Sequence, residues 1–498
     1  MKTFLRLFLS ALAALFISLL FSVLFLRLTE RSAADQALLV IIPGAALAYL
    51  FFSLSKESAR GAISALRLKP SSLPPPQEYA AGLILSLLFF AAYLHFGLQF
   101  NFGGSDTTDN FLDADNTPWA LRIAAPEGHR LEMRGPHPFA YFVLRPPGRA
   151  LAFLVSDETL AAILLNAFAG ALCVFLAWAF MKRQSNRGVY ALLIAALLGA
   201  SASHFFFSAV VETYIFSAVA LIGFALVAQK NPVSLRAPLA ASLLTFGLTL
   251  TNFAQNFIAF SAVQFSNFHA GKASFLRIFR FTALTLSLGV VLSAVHAAWY
   301  PSSALFFQLS GAGAEGEFSV SIVNEPQWRA AGRALLLART LLLYTVVAPR
   351  PFVFGEEVGN WLPRFNFFKI VPQTYSYAAY DGMGQILVLA WAGLLLASAA
   401  LFLWDLLRVR KIDLSLAFLL CLLFNFILHL NYGYEPFLYS PDWAYALVFF
   451  VGMTLAPFSK NRLFLSALLV FILLLAWNQI QFLQFILDTI APFRLGGG

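Results

Sequence analysis

Residues 158–180 read ETLAAILLNAFAGALCVFLAWAF, a run in which Glu158 is the only charged side chain. About 20 apolar residues in a helix are enough to cross the hydrocarbon core of a bilayer. Comparable runs recur from Phe4 to Ile490, with no long soluble block between them. The stretch therefore predicts one helix of a single membrane domain that covers residues 1–498.

The composition supports the same class of protein. Hydrophobic residues make up 60% of the chain and charged residues 11%, and the mean hydropathy is +0.77. A soluble domain carries roughly 25% charged residues, so most of this surface must face lipid. The net charge of +9 does not indicate a nucleic-acid partner, because the basic residues lie in short loops between apolar runs.

The apolar runs predict an all-α polytopic membrane protein with about 13 transmembrane helices. The first run is too long for the apolar region of a signal peptide, so it is counted as a span. Two of the runs are short and meet near Asn252, which predicts a short helical hairpin. The predicted spans are 4–26, 36–54, 80–98, 158–180, 189–205, 207–228, 237–251, 254–268, 281–298, 384–406, 413–430, 443–457 and 463–486.

The distribution of charge predicts the orientation. With the N-terminus in the cytoplasm, the inner loops hold 19 of the 33 basic residues but only 4 of the 24 acidic ones. Such a bias is typical of cytoplasmic loops. It places a first large loop, 99–157, and a second, 299–383, on the outer face. The expected location is the cell inner membrane, with the C-terminus outside.

One further apolar run, 334–348, would reverse the later orientation if it crossed the membrane. We interpret it as an interfacial or re-entrant helix of the second outer loop. Arg329, Arg333 and Arg339 flank it and suit the headgroup region.

The first outer loop carries the candidate catalytic carboxylates. Asp106 and Asp109 follow the third predicted helix closely, after Gly103 and Gly104, which allow a sharp turn. A calcium loop is excluded, because no register supplies the required glycine and glutamate. The remaining alternatives are a solvated acidic loop and a catalytic base at the mouth of a helix. We favour Asp106 as the base, then Asp109, and expect later acidic residues of the loop to tolerate substitution better.

Three other groups are candidate substrate-binding residues, each with a plainer alternative. Basic side chains of both outer loops could bind phosphate or anchor the loops at the interface. Glu212, near the outer end of the sixth predicted span, could have a functional role or could form a structural hydrogen bond to the neighbouring loop. The polar and aromatic segment 429–443 could bind a sugar or belong to an interfacial aromatic belt. The candidates are Arg134, His137, Arg145, Glu212, Tyr214, Arg329, Arg333, His429, Glu435 and Tyr439.

The two cysteines, Cys173 and Cys421, lie in separate apolar runs. This placement predicts buried free thiols rather than a disulfide or a metal site.

Together these features resemble the GT-C superfamily of membrane glycosyltransferases, which includes protein O-mannosyltransferases and bacterial aminoarabinose transferases. The resemblance covers roughly residues 80–300 and is a pattern rather than an exact motif. Two helices precede the one expected to lead into the catalytic loop, and Asp106-x-x-Asp109 replaces an adjacent acidic pair. The matching features are the acidic loop 105–115, His137-Pro138, Glu212-x-Tyr214 and the segment Phe246–Asn252, while 429–443 resembles a late outer turn.

The resemblance implies transfer of a sugar from a polyprenyl-phosphate donor to a lipid, glycan or protein acceptor at the outer face. A carboxylate would be the general base, and arginine or histidine side chains would stabilise the departing phosphate. Mg²⁺ or Mn²⁺ is an alternative cofactor, since acidic loops and phosphates often share a metal, although no ligand set is visible. The competing classes are a transporter or lipid flippase, which would show internal repeats and interrupted helices, and a non-catalytic scaffold.

Overall fold

The computed structural model describes residues 2–26, 32–56, 77–101, 109–230, 234–266, 271–309, 313, 315–320, 322–355, 362–409 and 413–495. This part of the chain is mostly helical, as the apolar runs predict. A helix overlaps each of the predicted spans.

The helices are numbered in chain order over the described residues. Their bounds are α1 Lys2–Phe25, α2 Ala33–Lys56, α3 Gln77–Phe100, α4 Asn116–Ala124, α5 Ala140–Val155, α6 Glu158–Ser185, α7 Gly188–Ala200, α8 Ala202–Ala209, α9 Tyr214–Gln229, α10 Arg236–Leu248, α11 Phe253–Phe265, α12 Gly271–Trp299, α13 Gln327–Arg339, α14 Gly382–Val409, α15 Leu414–Leu430, α16 Pro441–Thr454 and α17 Arg462–Leu495.

Six of these helices are long and apolar enough to cross a membrane, or seven when α7 and α8, bent by 62°, are counted as one broken span. The chain is therefore a multi-pass membrane protein, but the count of about 13 spans is not confirmed. Several predicted spans are shorter helices, and α10 and α11 have 13 residues each. A helix of that length is about 20 Å long, against about 30 Å of hydrocarbon core.

The long helices present large apolar side chains outward. Leu88, Leu396 and Leu463 are 65%, 72% and 80% exposed. Such faces are rare on soluble monomers and match lipid. The short helix α16 is buried in the centre, where the ring of Phe449 stacks 4.4 Å from that of Phe180 on the long helix α6.

The first large outer loop is folded, since it contains α4, α5 and a 3₁₀ turn over Pro126–Arg130. In the second, α13 continues as a π-helical turn, Thr340–Tyr344, so a helix does occupy much of the run interpreted as interfacial or re-entrant. The two short helices predicted for the hairpin are present as α10 and α11, with a 3₁₀ turn over Leu250–Asn252 between them.

Two antiparallel hairpins depart from the all-α prediction. Strands β1, Phe352–Phe354, and β2, Arg364–Asn366, form one pair; β3, Phe368–Val371, and β4, Thr374–Tyr377, form the other. Residues 364–377 are rich in aromatic and β-branched side chains, which favour strands. The charge distribution that predicts this loop carries no information on strands, so the sequence analysis does not predict the hairpins.

The loops that the charge bias places outside come together at one end of the bundle. Backbone bridges join Phe111 to Phe365, Met133 to Ser303 and Ser319 to Tyr432. We call this assembly the cap; its described residues lie within 109–139, 300–320, 362–380 and 431–440.

Candidate functional site

The acidic loop of the cap has an unusual backbone. Asp109, Leu112 and Asp113 have φ angles of 63°, 55° and 69°. Non-glycine residues rarely adopt this left-handed region, and such residues cluster at functional sites. Asp106 lies outside the described residues, so the structure places only Asp109 of the two predicted bases, with its side chain exposed.

Strand β2 holds the acidic loop in this conformation. The Leu112 amide donates to the Phe365 carbonyl at 3.2 Å, and the Phe365 amide donates to the Asn110 carbonyl at 2.9 Å. The rings of Phe111 and Phe365 stack 6.4 Å apart. The strained loop is therefore clamped by the second outer loop.

Arg364 of β2 lies beside the acidic loop. Its Nη2 is 3.8 Å from Oδ1 of Asp113. Burial and the charge of Asp109 raise the pKa of Asp113 to about 6, although Arg364 opposes them. The Arg364 Nε is buried and has no hydrogen-bond partner among the described residues. The guanidinium of Arg364, which has an unused N–H donor, thus lies beside the half-buried carboxyl group of Asp113.

Glu212 lies between α8 and α9 and contacts the same loop. Its carboxylate accepts hydrogen bonds from the Thr213 amide at 2.7 Å and the Asp115 amide at 3.0 Å. Burial raises the pKa of Glu212, and the charge of Asp115 raises it further. The structural hydrogen bond expected as the plainer alternative is therefore present, and it ties Glu212 to the acidic loop.

Two asparagine side chains form hydrogen bonds with the backbone of the segment that leads to Glu212. Asn101 donates to the Ala209 carbonyl at 2.8 Å, and its own oxygen accepts from the Val211 amide at 3.2 Å. Asn166 donates to the Phe207 carbonyl at 2.9 Å. The bend after α8 is thus fixed by side chains of α6 and of the end of α3.

We call the loop 109–115, Glu212, Arg364 and Arg134 the acidic cluster. Arg134 is held by Glu315 of the second large loop. Its Nε donates to Oε1 of Glu315 at 3.0 Å, and its Nη2 also pairs with that carboxylate. Tyr432 donates to Oε2 of Glu315 at 2.9 Å. Among the described residues, the Nη1 group of Arg134 forms no hydrogen bond, so one edge of the guanidinium is available to an anion.

A tyrosine group lies between these two sides. The ring of Tyr439 is 5.2 Å from that of Tyr214, 6.0 Å from that of Tyr432 and 4.4 Å from that of His429. Gly433 is needed here, because it has a φ of +78° and a Cβ atom would meet the Tyr439 ring at 2.3 Å. The tight turn thus lets the rings converge.

Glu435 is buried beneath the same turn. Its Oε1 accepts from the Phe437 amide at 3.1 Å. The side-chain amide of Asn366 is oriented so that its nitrogen donates to Oε2 of Glu435 at 3.0 Å and to the Phe365 carbonyl at 2.9 Å. Burial raises the pKa of Glu435 to about 8, and the nearby charge of Asp113 acts in the same direction.

Two of the predicted phosphate ligands have structural partners instead. Arg145 donates to the Arg122 carbonyl at 2.7 Å and the Ala125 carbonyl at 3.0 Å. Arg333 donates to the His429 carbonyl at 2.6 Å and the Leu430 carbonyl at 3.0 Å. Both are buried, and Arg333 closes the C-terminal end of α15.

The other two basic candidates are also engaged. Nδ1 of His137 is 2.6 Å from the Leu248 carbonyl, and burial lowers the pKa of His137 to about 4. The ring is therefore neutral at pH 7, and its Nδ1–H donates. Arg329 pairs with Glu325 at 3.2 Å on an exposed helix face. The structure thus brings Arg134 into the cluster, and it gives these four side chains other contacts.

The described residues contain no group of three His, Cys, Asp or Glu side chains that could hold a metal ion. Cys173 and Cys421 are free and buried, as predicted. An open recess of about 470 Å³ lies between the ends of α5 and α6, lined by Arg149, Phe153 and Glu158 among others. It does not include residues of the acidic cluster.

Known proteins give no guide to this arrangement. No family model matches the chain, and no curated protein or solved structure matches it either. The resemblance to GT-C glycosyltransferases therefore stays a prediction that rests on the residues themselves.

Several members of the cluster were missed from the sequence. Arg364 and Glu315 lie in the second outer loop without any distinguishing pattern around them. Asp113 was expected to be less important than Asp106 and Asp109, yet its Oδ1 lies 3.8 Å from Nη2 of Arg364. The pairing of β2 with the acidic loop, which needs tertiary structure, brings Asp113 and Arg364 together.

Proposed function

We propose that this protein is a membrane glycosyltransferase that uses a polyprenyl-phosphate-linked sugar donor. The observation that carries the proposal is the arrangement at the cap, where Glu212 contacts the strained acidic loop and the rings of Tyr214, Tyr439 and Tyr432 connect this side with Arg134. Carboxylates and an arginine with one unbound edge provide both groups that the reaction needs: a base and an anion-binding cation.

In the proposed reaction, an acceptor hydroxyl or amine attacks the anomeric carbon of the donor. Its proton passes to a carboxylate of the acidic loop, Asp106 or Asp109. The bond between the anomeric carbon and the phosphate oxygen breaks, and the phosphate leaves with the electron pair. We assign phosphate binding to Arg134 and Arg364, since the donors of His137, Arg145 and Arg333 are used within the protein.

The proposed orientation follows the charge bias, with the N-terminus in the cytoplasm and the cap on the outer face of the inner membrane. All 13 predicted segments then belong to the membrane domain, the central ones as short helices. Because α10 and α11 are only about 20 Å long, we infer that the turn between them lies below the outer ends of the long helices. The Leu250 amide of this turn donates to the Pro136 carbonyl of the cap at 2.8 Å. The proposal therefore places the site close to the lipid phase that holds the donor.

The second candidate function is a transporter or lipid flippase. The bent pair α7 and α8 favours it, because discontinuous helices commonly form transport sites. Apart from Glu212, which contacts the cap through the Asp115 amide, the charged residues of the cluster lie in the cap, and this location favours the enzyme.

The test uses purified protein in liposomes with a radiolabelled polyprenyl-phosphate sugar and an extract of the cell envelope as acceptor. We expect label transfer by the wild type and a fall of about 10²–10⁴-fold in Asp106→Asn or Asp109→Asn, because asparagine removes the base but keeps its size. Asp381→Asn, an exposed aspartate outside the cluster, is the matched control.

Two outcomes count against the proposal. Wild-type activity in both single variants and the double variant would exclude this loop as the source of the base. Transbilayer movement of a fluorescent polyprenyl lipid without any transfer of label would favour the flippase.

A further inference from the structure

A second polar group lies beneath the tyrosines, and its hydrogen bonding is incomplete. Asp442 of α16 and Asn252 of the turn before α11 are 3% and 1% exposed. Oδ1 of Asp442 and Nδ2 of Asn252 have no hydrogen-bond partner among the described residues. The amide lies close to the carboxyl group, but the two do not form a hydrogen bond of acceptable geometry.

Gln255 fixes the position of both groups. Its Nε2 donates to the Asn252 side-chain oxygen at 2.8 Å and to the Asp442 main-chain carbonyl at 3.0 Å. Its own oxygen accepts from the Tyr445 hydroxyl at 3.0 Å. The network therefore holds one carboxylate and one amide in place, yet leaves an acceptor and a donor unused.

Such an arrangement is unfavourable for the protein alone. A buried polar atom without a partner loses its hydration and gains nothing in return. The first turn of α16 provides a favourable field for the Asp442 charge, but a field does not replace a hydrogen bond. Buried polar groups left unsatisfied by the fold are suited to a ligand that completes them.

The location connects this pair with the acidic cluster. Trp443 follows Asp442 directly, and its ring is 5.4 Å from that of His429, which stacks on Tyr439. Tyr439 in turn contacts Tyr214, which begins α9 directly after the segment that carries Glu212. The pair is thus connected to the cluster through these aromatic rings.

We propose that Asp442 and Asn252 bind hydroxyl groups of the transferred sugar. A carboxylate accepts hydrogen bonds from neighbouring hydroxyls, and the amide N–H donates to a sugar oxygen. An acceptor beside a donor matches hydroxyl groups, which both donate and accept. A cation would leave the amide N–H unused.

This subsite rests on the proposed function, so its test separates recognition of the sugar from recognition of the lipid phosphate. The affinity of purified protein is measured for undecaprenyl phosphate and for the same lipid carrying glucose, mannose or arabinose. We expect the wild type to bind one sugar-bearing lipid roughly 10–100-fold more tightly than the bare lipid phosphate, the range of one or two charge-assisted hydrogen bonds.

Asp442→Asn should remove most of this preference and leave the affinity for bare undecaprenyl phosphate unchanged. Asn252→Ala should reduce the preference by a smaller factor. Asp405→Asn, on an exposed face of α14, is the control and should behave as the wild type. Because Oδ1 of Asp442 has no hydrogen-bond partner among the described residues, the melting temperature of Asp442→Asn should stay close to that of the wild type.

The outcomes distinguish the two proposals. A preference for the sugar that survives in Asp442→Asn would overturn the subsite while the glycosyltransferase proposal stands. Equal affinity of the wild type for bare and sugar-bearing lipids would also overturn the subsite, with recognition of lipid phosphate intact. Failure of the wild type to bind any of the four lipids would overturn the proposed function and the subsite with it.

Discussion

At the scale of one residue, the burial of Glu435 makes the stability of the protein depend on pH. Its pKa is about 8 in the folded protein, against an ordinary value of 4.5. Between these values the folded state holds a proton that the unfolded chain releases, so the free energy of unfolding falls as pH rises. We predict that the melting temperature in detergent decreases from pH 5 to pH 8 and that Glu435→Gln reduces this decrease.

Glutamine suits this position, because its oxygen can still accept from the Phe437 amide and its amide nitrogen can donate to Asn366 once the Asn366 amide turns to present its oxygen. The control is Glu317→Gln, an exposed residue of the cap, which should keep the wild-type dependence on pH. If the melting temperature of Glu435→Gln depended on pH as that of the wild type does, the pKa of Glu435 would be the same in the folded and unfolded states.

At the scale of elements, the acidic loop depends on residues that tolerate a left-handed backbone. Asparagine adopts a φ near that of Asp113 more readily than alanine does. We predict that Asp113→Ala lowers stability by about 1 kcal/mol more than Asp113→Asn, although both remove the same charge. Equal melting temperatures of the two variants would refute this explanation of the backbone conformation.

The buried side chain of Arg333 links helix α13 to the end of α15. Arg333 donates to the His429 and Leu430 carbonyls and also to those of Tyr432 and Gly433. Arg333→Gln should therefore destabilise the protein by about 2–3 kcal/mol, the range of hydrogen bonds from a charged group. Thermal unfolding would measure this. Arg329→Gln, one turn earlier on an exposed face, should change stability by less than about 1 kcal/mol, since its ion pair is solvated.

At the scale of the whole molecule, the charge bias predicts which end of the bundle faces the cytoplasm. Glu127 lies in the cap, and Gln184 lies at the end of α6 away from it; both are exposed. In a background without Cys173 and Cys421, a membrane-impermeant maleimide added to intact cells should label Glu127→Cys only. Labelling of Gln184→Cys and not Glu127→Cys would invert the orientation.

The sequence predicted the helices well, because long apolar runs have few alternatives in lipid. It also identified Glu212, Tyr214, Arg134, Tyr439 and Glu435, since polar side chains beside apolar runs are conspicuous. It could not predict that Arg145 and Arg333 donate to backbone carbonyls, or that Asp442 and Asn252 meet. Such contacts join residues far apart in the chain, and no local pattern encodes them.

The clamp on the acidic loop also has a consequence for the order of synthesis. Asn110 donates to the Leu362 carbonyl, a separation of 252 residues along the chain. At about 5–20 residues per second, the ribosome needs roughly 13–50 s to make that intervening length. During that interval the nascent chain has the carboxylates but lacks β2, so the acidic loop has nothing to hold its conformation. A ribosome-bound intermediate therefore cannot possess the assembled site, and activity begins only after the second large loop is complete.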